Sequence, residues 1–266
     1  MIARLTSLLV LAPVAIATAQ DKQPDFRWEK ALQANAVVKA HNLSGDVTVT
    51  QVNTGKVEVI GRKHGDKRDF DRITLVVVET RDGIVVCPDY KDLDMECNED
   101  GFHVHNDRWG RRGRNDYDDL SIDIEIKVPK GTEVGAGSVS GNVSVVGAEG
   151  DVRASSVSGD VRMERLRATS VKATSVSGNV DVTVESLTGT GDLKFTSVSG
   201  NVTAELPKNI DADVTMHSVS GSFDSDFPLT LSGRMNRGRI EARIGRGGRD
   251  LSITTVSGNV RLRAIK

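Results

Sequence analysis

The chain has 266 residues, a formal net charge of −2, two cysteines and an aromatic content of only 4%. The charge is uneven, basic over 234–266 and acidic over the rest, and no nucleic-acid partner is expected. So few aromatics beside so much Val, Thr, Ser and Gly fit an all-β repeat protein better than one large globular core.

Residues 1–19 read as a signal peptide. Arg4 supplies the charged start, residues 5–16 an apolar stretch too short to span a bilayer, and Ala17-Thr18-Ala19 a small-x-small cleavage site. No other long apolar run follows. The remainder is expected to be exported, soluble or peripherally attached, in the periplasm or at the cell surface.

Residues 20–133 are expected to form an N-terminal β region, hairpin-rich, with strands around Phe26–Leu32, Val37–Thr50, Lys56–Ile60 and Ile73–Glu79. Asp82-Gly83 between apolar runs signals a hairpin into Ile84–Cys87. Residues 88–119, with Pro88, three glycines and many charges, break the pattern and predict a long excursion loop. Cys87 and Cys97 bracket its first part. Two lone cysteines ten apart pair in an oxidising compartment, a closure worth about 2–3 kcal/mol, with free thiols as the alternative. Asp89, Asp92, Asp94, Glu96, Glu99 and Asp100 crowd into this loop with His103 and His105, and Asp116, Asp118 and Asp119 follow. These residues make either a calcium or zinc site or, in the plainer reading, a solvated acidic loop. Their spacing matches neither an EF-hand nor an HExxH motif, so no metal residue is assigned. The basic run at 108–114 reads as loop surface. Residues 120–128 alternate as a half-buried strand, and Pro129-Lys130-Gly131 turns the chain into a repeat array over 134–266.

The array is built on one hexapeptide. SVSGNV stands at 138–143, 175–180 and 197–202, SVSGDV at 156–161, SVSGSF at 218–223 and TVSGNV at 255–260; a degraded copy, NLSGDV, stands at 42–47. Apolar columns run through all copies. One is Val38, Val134, Val152, Val171, Leu193, Val214 and Leu251; another, beyond the glycine, is Val47, Val143, Val161, Val180, Val202, Phe223 and Val260. Alternation on both sides of the glycine is the strand period. From Gly141 to Gly221 the glycines are 18, 19, 22 and 21 residues apart. A coil of about 20 residues extends roughly 65 Å at ~3.3 Å per residue, enough for two or three short strands around a flattened loop. The fold class expected is therefore a single-chain parallel β-solenoid in which each coil buries its columns against its neighbours.

Gly45, Gly141, Gly159, Gly178, Gly200, Gly221 and Gly258 are expected at the coil corners in positive φ. Three readings of the polar columns stand beside one another. They are corner and stacking residues, or Asn142, Asp160, Asn179 and Asn201 line up as a stripe for a polymer or calcium, or Asn42, Asn142 and Asn201 head glycosylation sequons. Residues 224–250 read as an insertion carrying Arg234, Arg237, Arg239, Arg243, Arg246 and Arg249, a candidate polyanion site or equally a soluble rim. The last strand, 260–266, is expected to close the stack, with Arg261, Arg263 and Lys266 protecting its open edge.

Taken together, NLSGDVTVT, VPKGTEVGAGSVSGNVSVVG, the tandem VSG[ND]V copies and the closing IGRGGRDLSITTVSGNVRL resemble the DUF4097 group of bacterial secreted repeat proteins, also described as adhesin-like domains. The resemblance runs from about Val37 to Ile265. It implies a β-solenoid outside the cytoplasm with no catalytic residues and no cofactor. No Gly-x-Ser-x-Gly elbow, Walker loop or Rossmann fingerprint speaks for an enzyme, and the five histidines fall in no triad context. The function expected is a non-enzymatic scaffold or adhesin-like module of the cell envelope, with an envelope polymer or a membrane-associated protein as partner. The alternatives are an envelope-stress signalling partner acting by protein contact, and a polysaccharide-acting β-helix enzyme. Nothing in the sequence sets an oligomeric state.

Overall fold

The structure, a computed structural model, describes residues 23–91, 93–104, 120–232 and 238–265. The signal-peptide segment, His105, the basic run at 108–114 and the acidic residues 116–119 lie outside them.

The first strands are β1 (Phe26–Ala31), β2 (Val37–Ser44), β3 (Val47–Gln51), β4 (Lys56–His64), β5 (Ile73–Glu79) and β6 (Gly83–Tyr90). Within the stretch 88–119, expected to be an excursion loop, residues 95–104 form a small hairpin, β7 (Met95–Asn98) with β8 (Gly101–Val104). β9 (Ser121–Val128) leads into the array of β10 (Glu133–Ser140), β11 (Val143–Val146), β12 (Glu149–Ser158), β13 (Val161–Ser177), β14 (Val180–Leu187), β15 (Leu193–Ser199) and β16 (Val202–Leu206). The chain ends with β17 (Ala212–Ser220), β18 (Phe223–Ser225), β19 (Thr230–Leu231), β20 (Arg239–Ile244), β21 (Asp250–Ser257) and β22 (Val260–Ala264).

Apart from β7 and β8, which pair with each other in a separate sheet, these strands make one large mixed sheet folded into two main faces. Each hexapeptide copy sits where the chain passes from one face to the other, so one copy with its two flanking strands forms one rung. On the first face the parallel order is β6, β2, β10, β12, β13, β15, β21, β17. On the second it is β9, β3, β11, β13, β14, β16, β22, β18. Antiparallel strands close both ends: β5 on β6, and β4 then β1 on β9, at one end; β20 then β19 on β17 at the other.

The degraded copy at 42–47 continues the array, because β2 and β3 pair in register with β10 and β11. One feature of this order differs from the sequence expectation. The final strands do not form the end of the stack. β21 lies between β15 and β17, and β22 between β16 and β18, so the last copy in sequence fills the slot beside the Gly200 rung while the Gly221 rung stands outermost. Arg261 and Arg263 therefore protect no open edge; Arg263 pairs with Asp224 and Asp226 of the outer rung at 2.6 and 3.0 Å.

The core lies between the faces. The columns named above are buried throughout, apart from the half-buried Phe223. Each such valine or leucine removed from water contributes about 1.5–3 kcal/mol. At the corner the hexapeptide supplies two hydrogen-bond ladders. Its first Ser or Thr is buried, and the hydroxyls of Ser138, Ser156, Ser175, Ser197, Thr255 and Ser218 each donate to the glycine carbonyl of the adjoining rung at 2.8–3.1 Å. Beside it, the Oδ1 atoms of Asp123, Asp46, Asn142, Asp160, Asn179, Asn201 and Asn259 each accept the next rung's backbone N–H at 2.7–3.0 Å.

All seven corner glycines stand at corners. Gly45 has φ 114° and Gly141, Gly159, Gly178 and Gly258 have φ between 154° and 159°, positive as expected, while Gly200 and Gly221 are not in positive φ. What they share is contact. A Cβ on Gly178 would lie 2.2 Å from the Gly159 carbonyl oxygen, and one on Gly221 1.9 Å from that of Gly258. Glycine is needed because neighbouring backbones touch.

Candidate binding site

The outward positions are also in register, and on the first face they form ranks of like chemistry. One rank reads Lys39, Gly135, Arg153, Lys172, Lys194 and Ser252 across successive strands. Strands are ~4.8 Å apart, so Arg153, Lys172 and Lys194 are stacked as like charges. Arg153 reaches Asp151 at 3.9 Å, while among the described residues neither lysine has an ion-pair partner. Each neighbouring pair costs up to about 1 kcal/mol before screening.

Gly135 interrupts this rank and leaves a trough of about 400 Å³. Lys39 and His41 from β2 form one wall, and Arg153 and Ser155 from β12 the other; Glu133 and, from the β7–β8 turn, Asp100 stand at its edges. Lys39 Nζ donates to the Glu99 carbonyl at 2.8 Å, which holds the lysine without neutralising it. The His41 ring meets Phe102 edge-on, centroids 6.5 Å apart. Burial, then the Lys39 charge, pushes the His41 pKa below its ordinary value, so its ring adds no charge at neutral pH.

The hairpin that edges the trough is tied down by a disulfide. Cys87 on β6 and Cys97 on β7 are bonded, with Cα atoms 6.0 Å apart. The acidic residues expected to crowd this region spread along β6, β7 and the turns, and among the described residues no group of three metal-binding side chains forms. Asp92 and His105 lie outside those residues.

The arginines of 224–250 fall into three sets. Arg234 and Arg237 lie outside the described residues. Arg239 pairs with Glu241 at 2.7 Å, Arg243 with Asp213 at 2.9 Å and Arg246 with Asp211 at 2.9 Å. The backbone N–H and guanidinium of Arg246 hold the Asp211 carboxyl below the usual carboxylate range; the Arg243 guanidinium and the Gly248 N–H do the same for Asp213. Arg249 is buried, 7% exposed, and donates to the carbonyls of Thr169, Thr188, Gly189 and Gly191. It holds backbone rather than offering charge to a ligand. The cations that do face solvent in a rank, Arg153, Lys172 and Lys194, were absent from the sequence reading. The signal lay in the outward positions of the same repeats, once these are read as columns.

A second surface runs along the corner. The central valines Val139, Val157, Val176, Val198, Val256 and Val219 are 36–67% exposed, one on each rung except the Gly45 rung, and make an apolar rib flanked by exposed serines.

A family model described as Toastrack DUF4097 matches residues 18–263. The chain belongs to this family. Among curated proteins none matches it. Two solved structures are similar to this Toastrack chain at low identity. One is a candidate cell adhesion protein from Clostridium sporogenes, 10% identical, TM-score 0.44, the match covering 91% of this chain and all of that one. The other is a candidate adhesin from Bacteroides fragilis, 11% identical, TM-score 0.43, covering 90% of this chain and 96% of that one.

Proposed function

We propose that this Toastrack chain is a non-enzymatic, exported binding module of the bacterial cell envelope, a rigid adhesin-like β-solenoid of about 20-residue coils that meets an envelope polymer along one face. The observation that carries this reading is the in-register rank Arg153, Lys172, Lys194 beside the Gly135 trough. A repeating surface offers the same contact at every rung to a ligand that itself repeats, and such contacts reinforce one another. Export is supported by the signal-peptide pattern of residues 1–19 and by the Cys87–Cys97 disulfide, since such bonds persist in oxidising compartments. The test is co-sedimentation of the purified chain with isolated envelope material at low and high salt, with the supernatant assayed for sugars. Salt-sensitive binding without release is expected. Release of sugars would overturn the non-enzymatic reading.

The valine rib favours a second reading, contact with a protein partner in envelope signalling, because an ordered row of exposed apolar side chains suits a protein surface better than a charged polymer. Binding that is absent from extracted envelope polymer, yet yields one dominant crosslinked protein in cells, would put this reading first.

A further inference from the structure

Gly135 has no structural reason to be glycine. Its φ is not left-handed, and a Cβ there would meet only Lys39 Cγ, at 3.5 Å, an ordinary contact. This contrasts with the corner glycines, where a Cβ would strike backbone at 1.9–2.4 Å. Glycine inside a strand weakens it, and it recurs where something must approach the backbone closely. Every other rung from Lys39 to Lys194 fills this position with a cation.

We infer that the trough over Gly135 is a subsite for one acidic sugar unit of an anionic polysaccharide. Lys39 and Arg153 stand two strand spacings apart, ~9.6 Å, on either side of the bare floor, which places an anionic group between two cations. The edges argue against a simple polyanion. Glu133 and Asp100 would repel dense negative charge, but they accept hydrogen bonds from hydroxyls, and Ser155 and Thr174 can donate or accept. One acid group among several hydroxyls is the chemistry of a uronic-acid-type sugar. A volume of about 400 Å³ lies within the ~300–1,000 Å³ usual for small-ligand sites. Beyond the trough, Lys172 and Lys194 continue the rank, so the ligand extends across the rungs as a chain.

The inference rests on the binding-module reading and is tested separately from it. Trigalacturonate and the neutral maltotriose are titrated calorimetrically into the full chain. Trigalacturonate is expected to bind at least tenfold more tightly, with affinity falling as salt rises. Gly135→Val, a β-branched residue on an unstrained strand position, should weaken trigalacturonate at least tenfold while the melting temperature holds or rises. Arg153→Ala, a surface change that leaves the floor intact, should weaken it at least fivefold and flatten the salt dependence. Equal affinity for the two trisaccharides, no binding of trigalacturonate, or full affinity in folded Gly135→Val or Arg153→Ala would each overturn the inference. If wild type sediments with envelope material but ignores trigalacturonate, only the subsite fails. If it does neither, the binding-module reading fails with it.

Discussion

A Cβ placed on Gly178 would sit 2.2 Å from the Gly159 carbonyl oxygen and 3.0 Å from the Asp160 amide nitrogen. It would push two rungs apart where the Ser175 hydroxyl and the Asn179 N–H both bridge them. Gly178→Val is therefore expected to cost about 1–3 kcal/mol as overpacking, lowering Tm by about 2–4 °C per kcal/mol in a domain of this size. An unchanged melting curve would contradict the close-contact account. The same substitution at Gly135 meets no backbone, so the pair separates a glycine required by packing from one that packing leaves free. At this scale the inward residues were legible in the sequence because they repeat with the strand period and burial selects them. The trough was not, because it depends on what is missing from an outward column, and no apolar periodicity marks a missing side chain.

Among the elements, the β7–β8 hairpin and the return connection before β21 depend on single devices. The hairpin is short and forms its own two-stranded sheet, the kind of element that is marginal when alone. The Cys87–Cys97 bond ties it to β6. Reducing that bond is expected to raise amide hydrogen exchange sharply over 95–104 while β11, β14 and β16 keep their protection, since local opening draws on local contacts. Equal protection in both redox states would show that Met95 and its apolar neighbours hold the hairpin without the bond. The return connection is held by Arg249. It stands one residue before β21 and its guanidinium donates to carbonyls of Thr169 in β13 and of the Thr188–Gly191 turn, fixing where β21 enters the stack. A sequence reading by charge counts this arginine with its neighbours; only burial separates it from them.

For the whole molecule, the order of the rungs matters more than their number. The copies are closely alike, most with a Ser or Thr donor, all with the corner glycine and all but the Gly221 copy with an Asn or Asp after it, so one copy can stack on another. For that reason the sequence showed that rungs exist but not that the last one sits inside. Removing residues 250–266 tests this directly. A terminal rung would peel away and leave the rest intact. An inserted rung leaves β15 and β16 with open edges and takes from β17 and β18 their parallel partners. The truncated chain is therefore expected to lose exchange protection over 212–225 and to aggregate, as unpaired edges promote; a stable monomer with 212–225 still protected would contradict the inserted order. The closure also governs how such a molecule can change length. A unit of about 20 residues duplicated between Ser158 and Gly178 would add one rung and ~4.8 Å, leaving the closing strands at both ends as they are. The same unit added after Gly221 would stand between the outermost rung and the β19–β20 hairpin that turns the chain back. Growth is open in the middle of this stack and closed at the end that the β19–β20 hairpin covers.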